Sequence, residues 1–446
     1  MTDTLSAKAA QVLEWQKVLE YVAQGAQSVL GAARCRAMGL DNDLEVLARR
    51  QRETTEWLSL NEGSDPAPVL TFPDARELVE RAGKGGVLEA LELRDCGLVL
   101  ARIDEVARYC ARHAHEAPTV VAMAEGLQWT REFQAVARAL EAAIQPDGAI
   151  KESATPELRR LTHAAQELKQ RMREQLDRIL HSSRYEDVLQ ESYFAQREGR
   201  YVLPVKADMR GRIPGIVHDV SASGATVFLE PRELVELNNS IKVADLEIER
   251  EVRRILRELT HLVAGQADAL QVGIEVLAEL DVVQAKAAFS RRLKANPVAL
   301  NRQGRVMLKQ ARHPLLMLAK DDVVPNDILL DESIRVLVIS GPNTGGKTVT
   351  LKIVGLFSLM VRAGLHLPCA PESEMAIFPE LFADIGDAQD LSRDLSSFSA
   401  HMSQMVQLLA ESARSPRTGM DSGPSLVLLD EPVTSDRKST RLNSSH

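Results

Sequence analysis

The chain has 446 residues, of which 45% are apolar, 26% charged and 4% aromatic. These are the proportions of a globular protein long enough for roughly two to four domains. A formal net charge of −9 excludes a histone-like coat for nucleic acid, so any such contact must come from local basic patches or from encirclement. Cys35, Cys96, Cys110 and Cys369 are scattered and form no CxxC pair, the usage of reduced thiols rather than of zinc ligands or a disulfide framework. The start, MTDTLSAKAAQVLEW, has no basic segment followed by an apolar run. No stretch approaches the ~18 apolar residues of a membrane span. A cytoplasmic protein with no membrane partner is expected.

Residues 1–150 read as a helical core domain. LEWQKVLEYVAQ carries Leu13, Val18, Leu19 and Val22 at helical offsets, and LVLARIDEVARYCARHA continues the pattern. GSDPAP and AGKGG punctuate it as turns; the second is glycine-rich but lacks the GK[ST] ending of a phosphate loop.

Residues 151–295 read as a pair of long helices. From 156 to about 192, Leu158, Leu161, Ala165, Leu168, Met172, Leu176 and Ile179 recur in steps of three and four. From 232 to about 290 the stripe is Leu234, Leu237, Ile241, Ala244, Ile248, Val252, Ile255, Leu259 and Leu262. Narrow heptad-like stripes want one partner, so the two helices are expected to pair as an antiparallel coiled arm, in preference to two surface helices on a bundle. Between them, within 196–231, YVLPVKA, IPGIVHDVS and ATVFLEP read as strands separated by glycine-containing turns. This β module carries Arg197, Arg200, Lys206, Arg210 and Arg212 against Glu198 and Asp208. The excess fits a grip on a phosphate backbone; on composition alone a solvated hairpin with ordinary surface charge fits equally.

From 296 to 431 the pattern is α/β. IRVLVIS reads as a strand, VTLKIVGLFSLMVRAG as a helix, and GPNTGGKT, Gly341 to Thr348, lies between them and fits G-x-x-x-x-G-K-[ST]. Glycines let backbone N–H groups curl around phosphate oxygens, and the helix N-terminus adds its partial positive charge. Lys347 is expected to reach the β- and γ-phosphates of ATP, and Thr348 to hold Mg²⁺. Further on, SLVLLDE is an apolar strand ending in two acids. Asp430 is expected as the Mg²⁺ carboxylate and Glu431 as the residue that orients the attacking water, so Glu431 and Lys347 are the catalytic candidates. The fold class is therefore mixed: a helical core and paired arm helices with a small β module, then an α/β P-loop ATPase domain.

GPNTGGKT resembles the phosphate loop of the MutS family of ATPases, and this resemblance implies an ATPase domain of the ABC type, with the arms as levers that carry a clamp. ARHPLL (311–316), VPNDI (324–328) and FADIGDAQDLSRDLSSFSAHM (382–402) extend the resemblance. GLHLP, ADIGD-Q and S-S-F-S-x-H-M are most similar to the second bacterial branch, the recombination-suppressing endonucleases that end in a small Smr nuclease domain. The resemblance covers residues 10 to 431. It implies that Gly341, Pro342, Asn343, Thr344, Gly345, Gly346, Lys347 and Thr348 bind ATP, and that Gln389 senses Mg²⁺ and the γ-phosphate. It implies that Ser396 and Ser397 complete a partner subunit's site, hence a homodimer. It also implies that paired lever helices carry a clamp onto double-stranded, branched or mismatched DNA, which favours nucleic-acid contact at 196–231. The same branch is linked to splitting collided ribosomes, with rRNA as the target, and DNA and ribosome roles share every motif. A more remote alternative, an SMC-like structural ATPase, needs far longer arms than the ~60 residues here, about 90 Å at 1.5 Å per residue. His313, His366 and His401 are read as packing or capping residues. After Glu431 the family pattern stops, and PVTSDRKSTRLNSSH (432–446) is expected to be a non-native tail. Nuclease activity is expected only from an Smr domain absent from this sequence.

Overall fold

A computed structural model describes residues 7–127, 129–320, 322–341, 346–385 and 423–430. In chain order the helices are α1 (Ala7–Val12), α2 (Trp15–Ala23), α3 (Val29–Arg36), α4 (Leu44–Glu62), α5 (Arg76–Gly83), α6 (Ala90–Arg112) and α7 (Pro118–Ala124). They continue with α8 (Arg131–Ala143), α9 (Pro156–Leu180), α10 (Ser183–Glu186), α11 (Arg232–Ala264), α12 (Ala267–Arg292), α13 (Pro314–Ala319) and α14 (Lys347–Arg362). The strands are β1 (Ala195–Arg197), β2 (Arg200–Lys206), β3 (Gly215–Val220), β4 (Thr226–Pro231), β5 (Ala299–Asn301), β6 (Val306–Ala311), β7 (Asn326–Leu330), β8 (Glu374–Ala376), β9 (Leu381–Asp384) and β10 (Leu426–Leu429). The chain divides into two compact units, one of residues 1–74, 102–128 and 272–446, the other of 75–101 and 129–271.

In the second unit α9 and α11 pack against each other. They run antiparallel: Gln175 meets Glu233, Lys169 meets Asp245 and Thr155 meets Glu251. Thr155 starts α9 by accepting from Leu158 N–H at 3.0 Å, with Pro156 in the first turn. Leu158, Leu161, Ala165, Met172, Leu176 and Ile179 of the expected stripe are buried. The helix stops at Leu180, short of 192, because Ser182 caps a separate short turn, α10. The second long segment also breaks, at Gly265–Gln266, into α11 and α12. Near the end of α11 the buried position moves from the expected Leu262, 42% exposed, to Val263. A strict heptad stripe drifts by ~20° per heptad around a straight helix, which accounts for the shift.

The three expected strands form as β2, β3 and β4, joined by the short β1 in an antiparallel sheet of order β1-β2-β4-β3. The pairings Leu203 with Leu229 and Val205 with Val227 set the register of the central pair. Leu203, Val205 and Leu229 join Met172, Leu176 and Ile179 of α9 and Leu234 and Ile241 of α11 in one core, so the sheet is seated on the helix pair. A 3₁₀ segment, Ala207–Arg212, links β2 to β3.

In the first unit Leu13, Val18, Leu19 and Val22 are buried as expected, in a core shared with Ile353, Leu356, Phe357 and Met360 of α14 and with Leu426 and Leu428 of β10. A break at Leu13–Glu14 separates α1 from α2. Asp281 of α12, fully buried, accepts from the Gln27 and Ser28 amides and from Ser28 Oγ, which fixes the start of α3. Strands β5, β8, β6 and β7 form one sheet, and β9 and β10 pair in parallel. All four cysteines are buried and unpaired; burial pushes the thiols up, to about 12 for Cys35 and Cys96 and about 11 for Cys110 and Cys369, which makes them poor nucleophiles. Among the described residues no helix is long and apolar enough to cross a membrane.

Candidate nucleotide-binding and nucleic-acid sites

The glycine loop leads directly into α14. Gly346 occupies its N-cap with φ 79° and ψ 15°, a left-handed conformation that favours glycine, and Lys347 and Thr348 are the first two helical residues. Strand β10 ends at Leu429, and the Asp430 amide donates to the Asp384 carbonyl at 3.0 Å, which continues the parallel ladder with β9. Thr348 Oγ1 donates to Asp430 Oδ2 at 2.6 Å. The helix N-terminus and the C-terminal end of a parallel strand pair thus bring together two residues far apart in sequence. The hydroxyl and carboxylate are hard oxygen donors, and a cation that keeps several waters and takes phosphate oxygens needs only one or two such protein ligands. The pair fits Mg²⁺, while among the described residues no cluster of three or more His, Cys, Asp or Glu is placed to hold a metal.

Pro342, Asn343, Thr344, Gly345, Gln389, Ser396, Ser397, His401, Glu431 and the tail 432–446 lie outside the described residues. The segment IRVLVIS ahead of the loop is described and differs from expectation. Residues 334–340 form no strand, and Val336, Leu337, Val338 and Ile339 are exposed. A strand needs a neighbour for its ladder, and no described strand pairs with this run.

His313 and His366 are packing residues. The Nε2 of His366 donates to the Gln51 carbonyl at 3.0 Å and its Nδ1 lies 2.8 Å from Ser290 Oγ. Burial pushes both imidazoles down to about 4.

The five basic residues of the β module fall into two groups. Arg200 donates to Glu230 Oε1 at 2.8 Å and to Asn239 Oδ1 at 2.8 Å. Glu230 is fully buried and also receives His218 Nε2 at 2.6 Å and Asn238 Nδ2 at 2.8 Å. Asn238 in turn pairs both ways with the backbone of Tyr201. Arg200 is therefore the counter-charge of a buried carboxylate that joins β2, β3, β4 and α11. Arg197 binds Asp219 at 3.0 Å and lies 4.1 Å from the centre of the Phe228 ring, and Lys206 donates to the Asp187 carbonyl. Arg210 and Arg212, on the 3₁₀ segment, are exposed and have no partner among the described residues. Sequence reasoning missed Glu230, His218 and Asn238. The available signal was an acid set between apolar residues in VFLEP.

Taken together, a glycine-rich motif ahead of a helix that starts beside an acid-ended parallel strand is the arrangement used by nucleotide-binding proteins of the P-loop class. Residues 337–433 match the family model described as MutS domain V. Over 95% of its length the chain is 37% identical to the endonuclease MutS2 of Shouchella clausii, and over 96% it is 38% identical to that of Pelotomaculum thermopropionicum. The chain belongs to the MutS family, in its MutS2 branch. It spans about half the length of the curated relatives it matches, 53% and 52% of these two.

Proposed function

We propose that the chain is the ATP-binding, duplex-gripping part of a MutS2-type protein, a homodimeric clamp on branched or mismatched DNA that restrains recombination. The observation that carries the reading is the Thr348–Asp430 contact at the mouth of the glycine loop, inside the segment matched by MutS domain V. In this reading Lys347 and the loop amides bind the phosphates of ATP, and Thr348 and Asp430 hold Mg²⁺, which neutralises phosphate charge when bound. Glu431 follows Asp430 directly and orients the attacking water; Gln389 senses Mg²⁺ and the γ-phosphate, and Ser396 and Ser397 complete the site of the partner subunit. Arg210 and Arg212 are the exposed cations offered to the DNA backbone. The strand-cleaving activity in the relatives' name is assigned to the part of their length with which this chain does not align.

The test is ATP binding measured with a fluorescent analogue. Lys347→Ala is expected to abolish it, and Glu431→Gln, placed in a chain of the relatives' full length, is expected to hold ATP unhydrolysed. Unchanged nucleotide affinity in Lys347→Ala would refute the site.

A further inference from the structure

Residues 8–14 press on the nucleotide-binding helix and its neighbouring strand at three points. Lys8 Nζ, on α1, binds Asp384 Oδ1 at 2.8 Å, and Asp384 is the residue whose carbonyl receives the Asp430 amide. The Leu13 side chain fills the space left by Gly355 of α14, where a Cβ would come within 2.6 Å of Leu13 Cδ2 and 2.8 Å of Leu428 Cδ1. Glu14 Oε2 accepts from Lys352 Nζ at 3.4 Å. Lys352 lies four residues after Thr348, one turn along the same face of α14.

Glu14 itself is held at φ 56° and ψ 33°, a left-handed conformation that is strained for a non-glycine residue. Its carboxyl is held below the usual range by the Lys17 ammonium 2.5 Å away and further by Lys352. The surrounding contacts therefore over-determine the bend between α1 and α2. They fix α14 at Lys352 and Gly355 and fix the end of β9 at Asp384. Thr348 stands on α14, and Asp430 follows β10, whose ladder with β9 continues to Asp384, so the position of α14 relative to the β9–β10 pair sets the distance between Thr348 and Asp430.

We propose that this N-terminal elbow is a positioning element of the nucleotide site, with Glu14, Leu13 and Lys8 acting through Lys352, Gly355 and Asp384 to keep Thr348 and Asp430 in register for a nucleotide-bound Mg²⁺. The inference rests on the ATP-binding reading above. A merely structural elbow would change stability alone. A positioning elbow changes how much Mg²⁺ strengthens ATP binding.

The experiment measures affinity for a fluorescent ATP analogue with Mg²⁺ and with EDTA, alongside the thermal midpoint. The variants are Glu14→Gln, Lys8→Met, and the charge swap Glu14→Lys with Lys352→Glu. Glu14→Gln and Lys8→Met are expected to lower the Mg²⁺-dependent affinity about tenfold, the low end of what loss of an outer-shell partner costs a metal site. Affinity in EDTA is expected to be unchanged, and the charge swap is expected to recover most of the loss. If wild-type binding is abolished by Lys347→Ala while both single variants keep the full Mg²⁺ increment, the elbow inference is overturned and the site reading stands. If the wild-type chain takes up no nucleotide, both are overturned.

Discussion

Arg200→Ala tests whether a basic residue in the β module is there for its own fold. Glu230 is fully buried and takes three donors, from Arg200, His218 and Asn238. Removing Arg200 leaves a buried carboxylate without its permanent counter-charge. Breaking a buried pair by removing one partner costs about 3–5 kcal/mol. His218 and Asn238 keep two donors on the carboxylate, so the lower end, about 3 kcal/mol, is expected. The loss is local, so global unfolding of a chain with two compact units is the wrong probe. Amide hydrogen exchange of β2 and β4 reads it directly. Protection at Leu203, Val205 and Leu229 is expected to fall about a hundredfold, since each 1.4 kcal/mol is a factor of ten. Adding Glu230→Gln removes the stranded charge and is expected to restore part of the protection. Exchange in Arg200→Ala equal to that of the parent would refute the assignment of Arg200 to the buried network.

Arg210→Ala with Arg212→Ala is expected to leave β2–β4 exchange unchanged and to weaken binding to a duplex. The log–log salt slope should become shallower by up to about 1.8, from ~0.9 per phosphate contact on B-DNA; fluorescence anisotropy at several salt concentrations measures it, and an unchanged slope removes these two residues from the interface. A separate outcome concerns acid. His313 and His366 have folded pKa values of about 4, below the ordinary 6.5. The unfolded chain therefore takes up these protons first as pH falls, and stability is full above about 6.5 and lost between there and 4. Each contributes about 3 kcal/mol over that window at ~1.4 kcal/mol per pH unit. Guanidinium unfolding midpoints at pH 7.5, 5.5 and 4.5 should fall in that order, and His366→Gln should flatten part of the fall. A pH-independent midpoint would show that neither imidazole is held neutral by burial.

What could be read from the sequence is what is written locally. The glycine loop, the helix after it and the acid-ended strand are runs of adjacent residues, and the β2, β3 and β4 strands are apolar, partly β-branched runs between glycines. The buried positions Leu13, Val18, Leu19 and Val22 were legible too, but the bend at Glu14 was not. A hydrophobic stripe records which residues face the core and says nothing of whether the helix beneath them is continuous. The apolar run Val336–Ile339 fails for a related reason: strand propensity describes what a residue does once a neighbouring strand is present, and no described strand lies beside it.

The basic residues of the β module show the limit most plainly. Counted by type, Arg197, Arg200, Lys206, Arg210 and Arg212 are five equal cations. In the fold, Arg200 is bound to a buried acid thirty residues away in sequence, and Arg197 lies over Phe228 while binding Asp219. Arg210 and Arg212 are exposed and have no partner among the described residues. A buried acid needs a partner and a solvated one does not. The fate of Arg200 was therefore decided by the burial of Glu230, a property of tertiary packing that leaves almost no mark on that arginine's own sequence neighbourhood.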